Sequence, residues 1–173
     1  MQVLCVLTLL VALVPGQQPA PKPAPGAKPA PGAKPPAAAP APAAKGAGRT
    51  VELTGGDDMK YNVTTINAKP GETIHVVLKS TGTIPKIAMA HNFVLLVLGT
   101  DVDAFLKSAM NARDTDYVPA DQKAKVLAST KLAGPTETVE VTFKAPAKPG
   151  SYPYLCSFPG HYTAGMKGNL VVK

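Results

Sequence analysis

The sequence predicts an all-β sandwich for residues 49–173, and three observations support this fold class. Apolar and polar residues alternate there with a period of two, which is typical of strands that bury one face. Turn sequences rich in Gly and Pro separate these strands at short intervals. One stretch alone has helical spacing. Many short strands at this spacing are typical of a β-sandwich, so we expect a sandwich with one short inserted helix.

Each predicted strand is recognised by its alternation and by the turn beside it. The alternating strands are TVELT (50–54), ETIHVVLK (72–79), ETVEVTFK (137–144) and KGNLVVK (167–173). The run AHNFVLLVLG (90–99) is apolar throughout after His91 and is therefore predicted to be a buried central strand. His91 would then lie near one end of the sandwich.

The predicted helix lies in DVDAFLKSAMNAR (101–113). Phe105 and Ala109 recur at helical spacing, and Asp101 is a good N-cap residue. We expect Phe105 and Met110 to pack against the sandwich.

The first 16 residues have the features of an export signal. Residues 3–14 are apolar, but they are too few to span a bilayer and fit the core of a signal peptide. We expect residues 1–16 to be a signal peptide or an N-terminal membrane anchor. The protein is therefore predicted to be exported, to a periplasm or a cell surface.

Residues 17–48 are predicted to be a disordered linker. They hold ten of the 19 prolines, and their charged residues are four lysines. Such a segment has too little apolar surface to offset the entropy of ordering. We expect it to tether the domain at 49–173, in some cases to a membrane.

The basic charge carries little information about the folded domain. The chain has 18 Lys and Arg against 11 Asp and Glu, a net charge of +7, and four of the lysines lie in the linker. The remaining charges are interspersed, and no basic surface with aromatic residues is apparent. No nucleic-acid partner is expected.

The segment CSFPGHYTAGM (156–166) carries the predicted chemistry. If Cys5 is removed with the signal peptide, Cys156 has no disulfide partner, and an unpaired thiol in an exported protein is expected to be occupied by a metal. Cys156, His161 and Met166, joined by His91, supply the two imidazoles, one thiolate and weak thioether of a blue copper site. The alternatives are an inert buried cysteine, a core histidine at His91, an exposed loop histidine at His161 and a core methionine at Met166.

The same residues resemble a known family. The motifs AHN, YLCSFPGHYTAGMKGNLVVK, DDMKYN and STKLAGPTE are similar to those of the cupredoxins, the blue copper proteins of the azurin and auracyanin group. The spacing from His161 to Met166 resembles auracyanin more than azurin. The resemblance covers 49–173 and implies a Greek-key β-sandwich or barrel that holds one type 1 copper.

The resemblance also implies roles for residues beside the ligands. The backbone carbonyl of Ala90 would lie on the far axial side of the copper. Asn92 would hydrogen-bond Ser157, and the N–H groups of Asn92 and Phe158 would point at the thiolate. Phe93 stands where azurin has a core tryptophan.

Three functions were considered, namely electron transfer, copper storage or delivery, and catalysis, and electron transfer is favoured. A type 1 copper electron-transfer protein would cycle between Cu(I) and Cu(II), and copper storage or delivery is the alternative. An enzyme with a second copper is not expected, because only His75 remains as a further histidine. Electrons are predicted to leave through His161 by transient docking to a c-type cytochrome or a membrane redox complex. The predicted docking patch is Met89, Phe158, Pro159 and Gly160.

Overall fold

The computed structural model describes residues 48–173. The predicted signal peptide or anchor (1–16) and the predicted linker (17–48), apart from Gly48, lie outside the described residues. Within 48–173, no helix has the length and apolar character needed to span a bilayer.

Residues 48–173 form two β-sheets, which confirms the predicted sandwich. The strands are β1 (Arg49–Gly55), β2 (Thr65–Ala68), β3 (Thr73–Ser80), β4 (Val94–Leu96), β5 (Val126–Ser129), β6 (Thr138–Lys144), β7 (Gly150–Leu155) and β8 (Lys167–Val172). The first sheet has the order β1-β3-β6 and the second has the order β2-β8-β7-β4-β5. The pairs β1–β3 and β2–β8 are parallel, and the other neighbours are antiparallel.

The core follows from the alternation of the strands. The apolar face of β3 is fully buried, as its sequence predicts, because Ile74, Val76 and Leu78 point between the sheets. Phe93 is also fully buried, and its ring centroid lies 5.2 Å from that of Tyr154. This aromatic packing fills the sandwich close to the loop that holds Cys156.

The central strand is shorter than predicted, although its position is right. Hydrogen-bonded pairing limits β4 to three fully buried residues between β5 and β7. His91 precedes it and forms a separate bridge with Ala133. The apolar run predicts burial correctly but carries no signal for the register shift between Leu95 and Leu96 that ends the regular pairing.

The inserted helix is α1 (Val102–Ala109), and it begins where the sequence predicts. The Asp101 side chain accepts a hydrogen bond from the N–H of Ala104 at 3.0 Å. Phe105 is fully buried, but the expectation for Met110 is wrong. Met110 is the C-cap of the helix and is 65% exposed. Two 3₁₀ segments (Arg113–Thr115 and Ala120–Lys125) and a one-turn helix α2 (His161–Ala164) complete the fold.

The strand ends define two opposite ends of the sandwich. Gly55 pairs with Ser80 where β1 and β3 finish, and Leu155 pairs with Lys167 where β7 finishes and β8 begins. We call this the Cys156 end. Arg49, at the beginning of β1, marks the distal end.

Candidate metal centre

Three side chains converge in a buried site at the Cys156 end. Metal-binding atoms of His91, Cys156 and His161 lie within 4.8 Å of one another. The two histidine Nδ1 atoms are 3.2 Å apart, and the Cys156 sulfur is 3.5 Å from Nδ1 of His161. His91 and Cys156 are fully buried and His161 is 2% exposed. Water is therefore excluded from all three.

Separate elements bring these side chains together. His91 is fixed by two backbone hydrogen bonds with Ala133, at 2.9 and 2.7 Å. Cys156 directly follows the end of β7, and His161 is the first residue of α2. The site therefore joins the segment before β4 to the loop that follows the neighbouring strand β7.

The loop from Cys156 to Met166 is closed by its own backbone. The N–H of Cys156 donates to the carbonyl of Met166 at 3.1 Å, and the N–H of Met166 donates to the carbonyl of His161 at 2.9 Å. Gly160 and Gly165, at φ 85° and 109°, adopt left-handed conformations that favour glycine. These two glycines flank α2, so they allow the turns that direct His161 inward.

Met166 is fully buried beside His91, and Gly55 makes room for both. A Cβ atom at Gly55 would lie 2.5 Å from Cε of Met166 and 3.2 Å from Cγ of His91. Sequence reasoning missed Gly55, because the glycines at 55–56 predict only a turn after β1. The role of Met166 as an axial ligand remains a prediction.

Ala90 lies beside the converging side chains. It is fully buried, and its carbonyl oxygen lies 3.9 Å from the sulfur of Cys156. Its role on the axial side of a metal remains a prediction.

Asn92 joins the segment after His91 to the segment after Cys156. Its Oδ1 accepts a hydrogen bond from the N–H of Ser157 at 2.9 Å, and its Nδ2 donates to Oγ of Ser157 at 2.9 Å. The same Nδ2 donates to the backbone carbonyl of Asp116 at 2.7 Å, and the hydroxyl of Tyr61 donates to the backbone carbonyl of Asn92. Asp116 carries no sequence signal for this contact.

Phe158, a residue of the predicted docking patch, packs against His161. The Phe158 ring lies 4.7 Å from the His161 ring between centroids, and Tyr117 contacts the other side of Phe158 at 5.1 Å. Pro159 and Gly160 are exposed, whereas Phe158 and Met89 are half-buried. The exposed side chains of Ile84 and Ile87 lie in the segment before Met89 and add apolar surface that the sequence analysis did not include.

Burial keeps the histidines neutral and the thiol protonated in the absence of metal. Burial, together with His91, lowers the pKa of His161 to about 4, and burial also lowers the pKa of His91. Burial raises the pKa of the Cys156 thiol to about 12, while hydrogen bonds from the backbone N–H groups of Asn92 and Phe158 oppose that shift. Metal binding at this site therefore releases the thiol proton.

The donor set fits one type 1 copper ion. Two neutral imidazoles and a thiol meet in a dry site with a thioether side chain beside them, which suits a thiophilic metal. No carboxylate belongs to this group, so the hard cations Mg²⁺ and Ca²⁺ are poorly matched. Within 48–173 this is the single group of at least three His, Cys, Asp or Glu residues with such convergence.

His75, the third histidine, lies away from this centre on β3. Its Nδ1 lies 2.8 Å from Oγ1 of Thr142, and its Nε2 lies 3.1 Å from a carboxylate oxygen of Glu140. Both ring nitrogens thus have partners on the neighbouring strand β6. His75 supplies no further ligand to the centre.

Comparison with known proteins points to copper. The profile of a family described as copper binding proteins, plastocyanin/azurin family, matches residues 48–173. Auracyanin-A of Chloroflexus aurantiacus is 36% identical over 126 residues, which covers 71% of this chain and 74% of that protein. Outer membrane protein H.8 of Neisseria meningitidis is 41% identical over 119 residues, or 67% of this chain. The match spans 63% of H.8, which is less than two thirds of its length.

A solved structure also connects this chain with the auracyanins. The chain superimposes on the dithionite-reduced auracyanin of the photosynthetic bacterium Roseiflexus castenholzii with a TM-score of 0.64 and 38% identity. The match covers 74% of this chain and 99% of the auracyanin chain. The resemblance to the azurin and auracyanin group and the cupredoxin-like fold class are thereby confirmed.

Proposed function

The chain belongs to the plastocyanin/azurin family of copper-binding proteins, and from this premise we propose that it is a one-electron carrier with a type 1 copper. The convergence of His91, Cys156 and His161 in a water-excluded site is the observation that carries the proposal. Bound copper would supply Cu(I)/Cu(II) redox chemistry there. We propose that Met166 would also hold the copper as a weak ligand, and that the Ala90 carbonyl would be a further, weaker one.

The surrounding residues favour electron transfer over catalysis. An enzyme needs space for a substrate at the reacting centre, but the three convergent side chains are at most 2% exposed. Within the described residues there is no second cluster of at least three metal-binding side chains, such as a copper enzyme would use for its chemistry. The hydrogen bonds of Asn92 and the closed loop from Cys156 to Met166 hold the ligands in one arrangement.

A fixed donor arrangement also favours a carrier over a copper storage or delivery protein. Delivery requires ligands that a recipient can reach and replace, whereas here backbone hydrogen bonds fix Cys156 and burial shields it. A buried and rigid site suits repeated electron exchange without loss of the metal.

The test is the visible spectrum of the copper-loaded full chain. We expect an intense blue or green colour that Cys156→Ser abolishes, because the thiolate–copper bond produces it. His91→Gln should also remove it. His75→Gln is the matched control and should leave it unchanged, because both ring nitrogens of His75 face β6. Loss of the colour in the control, or its retention in Cys156→Ser, would contradict the ligand assignment.

A second measurement separates electron transfer from copper delivery. A carrier is reduced quickly by ascorbate and keeps its copper in the presence of a chelator. A delivery protein gives the metal to the chelator within the same time. Rapid loss of copper would therefore favour the alternative.

We also propose that residues 1–48 export the protein and tether it. Residues 1–16 would be a signal peptide or membrane anchor, and residues 17–48 a linker to a domain that starts at Arg49, the first residue of β1. The domain would then work in the periplasm or at the cell surface, with a c-type cytochrome or a membrane redox complex as partner. A chain that starts at Arg49 should melt at the same temperature and bind the same amount of copper.

A further inference from the structure

The distal end of the sandwich carries a concentration of positive charge. Five exposed cationic side chains lie at strand ends and turns there, and we call them the basic cap: Arg49, Lys69, Lys144, Lys148 and Lys173. Arg49 begins β1, and Lys144 ends β6 opposite Thr73 at the start of β3. The cap therefore lies at the opposite end of the strands from the metal centre.

Backbone contacts hold these cations on one surface. Arg49, Lys69 and Lys173 line a single cleft of about 380 Å³. The turn that contains Lys69 is joined to the residue after Lys144, because the N–H of Gly71 donates to the carbonyl of Ala145 at 3.1 Å. Arg49, Lys69, Lys144 and Lys173 therefore lie in one connected region, and Lys148 lies in the turn between β6 and β7 at the same end.

Little negative charge offsets the cap. Glu72 accepts a hydrogen bond from Nε of Arg49 at 2.9 Å and another from the N–H of Lys69 at 2.8 Å. These bonds lower the pKa of Glu72 and keep it ionised. Among the described side chains, Glu72 is the one acid that forms an ion pair with a residue of the cap, namely Arg49.

The chemistry of the cap favours a lipid surface over a protein partner. Stable protein interfaces depend on buried apolar or aromatic anchors. Among the described residues, the exposed side chains of Ile87 and Met110 lie near Phe158 and the metal centre. Leu98 and Leu127, 37% and 41% exposed, lie nearer the distal end, but neither lines the cleft that holds Arg49, Lys69 and Lys173. A diffuse group of lysines without apolar anchors matches the attraction of basic segments to anionic headgroups.

We propose that the basic cap seats the domain on an anionic lipid bilayer with the metal centre facing away from it. The seven residues of β1 separate the two ends by roughly 20 Å at about 3.3 Å per residue. His161 and the apolar residues around it then stay free for a redox partner. The sequence before β1 continues the same charge, since Lys22, Lys28, Lys34 and Lys45 occur there without an acid.

The test compares two charge-matched variants of the full chain in vesicle co-sedimentation. One carries Lys69→Gln, Lys144→Gln and Lys148→Gln. The control carries Lys60→Gln, Lys107→Gln and Lys131→Gln, three exposed lysines outside the cap. Vesicles contain either phosphatidylcholine alone or equal parts of phosphatidylcholine and phosphatidylglycerol. Because both variants keep residues 1–48, any contribution of that segment is the same in both.

We expect the wild type and the control to bind the anionic vesicles, and the cap variant to bind at least about tenfold more weakly, since each lysine near an anionic surface contributes about 1 kcal/mol. Added salt should weaken the wild-type binding. Equal losses in both variants, or no preference of the wild type for anionic vesicles, would overturn the proposal. Circular dichroism of both variants verifies that they fold, and the measurement needs no copper.

Discussion

The Asn92 side chain and Ser157 form two hydrogen bonds of 2.9 Å, one through the backbone N–H of Ser157 and one through its hydroxyl. Asn92 directly follows His91, and Ser157 directly follows Cys156. The amide therefore sets the distance between two of the converging side chains, although it touches no metal-binding atom through its own side chain.

Asn92→Ala should destabilise the protein without metal by about 2–4 kcal/mol. The change removes four side-chain hydrogen bonds and leaves the buried N–H of Ser157 without a partner. Ser157→Ala, which removes only the hydroxyl, should cost about 1 kcal/mol. Urea unfolding at neutral pH measures both. Equal losses in the two variants would show that the amide does not join the two segments.

Gly55→Ala should alter the visible spectrum of the copper-loaded protein while the fold remains. The added Cβ would lie 2.5 Å from Cε of Met166, which is the mobile end of its side chain, so the methionine moves before the backbone does. Gly56→Ala is the control, since its Cβ would approach Thr81 and Asp58 and neither proposed ligand. An unchanged spectrum in Gly55→Ala would argue against the contact between Met166 and the metal.

The sandwich and the cluster of ligands could be predicted from the sequence, whereas the support of the site could not. Period-two alternation identifies β1, β3, β6 and β8, because each has one face turned to the core, although the inward face of β6 is only partly buried. The strand β7 was not predicted from the sequence, because Gly150 and Pro153 are more typical of a turn than of a strand.

The residues that support the site, Asp116 and Tyr117, could not be predicted for a different reason. They have φ of 56° and 58°, a left-handed conformation that is uncommon outside glycine and that no local sequence pattern indicates here. Their positions depend on long-range contacts, namely the bond from Asn92 to the carbonyl of Asp116 and the packing of Tyr117 on Phe158. Such contacts form only once the sheets have packed.

Met166→Leu should keep the intense colour and raise the reduction potential, whereas Met166→Gln should lower it. A thioether donates weakly to Cu(II), so its loss favours Cu(I), and a stronger oxygen donor favours Cu(II). Met166 is fully buried, and leucine fills a similar volume, so the fold should be kept. Voltammetry of the wild type and the two variants measures the order of their reduction potentials. Identical reduction potentials in the wild type and both variants would contradict the assignment of Met166 as an axial ligand.

The protein without metal should lose stability as the pH falls from about 6.5 to about 4. The folded-state pKa of His161 lies near 4, below its ordinary value of 6.5, because burial and His91 disfavour its charged form. The unfolded chain therefore binds more protons in this window, and the stability present above pH 6.5 is lost on acidification, by on the order of 3 kcal/mol. Denaturant unfolding at several pH values measures the slope. His161→Gln should reduce the slope of the unfolding free energy against pH. An unchanged slope in this variant would show that the pH dependence does not come from His161.

Ile87→Lys and Met89→Lys should slow electron exchange while the visible spectrum stays the same. Ile87 is 73% exposed and lines a cleft together with Phe158, whose ring contacts that of His161. The proposed route for electrons leaves through His161, so two molecules must bring these surfaces together. A lysine on each surface places like charges opposite each other and removes apolar contact, which should slow self-exchange at least about tenfold.

The control for this prediction is Leu127→Lys. Leu127 is 41% exposed and lies on β5, outside the docking patch. The Leu127→Lys substitution adds the same charge and removes a similar apolar side chain. A general effect of net charge on the exchange rate would therefore appear in all three variants. Self-exchange is measured by NMR line broadening at low and high salt, and added salt should restore part of the rate in the patch variants because it screens the repulsion. Equal slowing in Leu127→Lys, or no slowing in Ile87→Lys, would place the electron exit on a different surface.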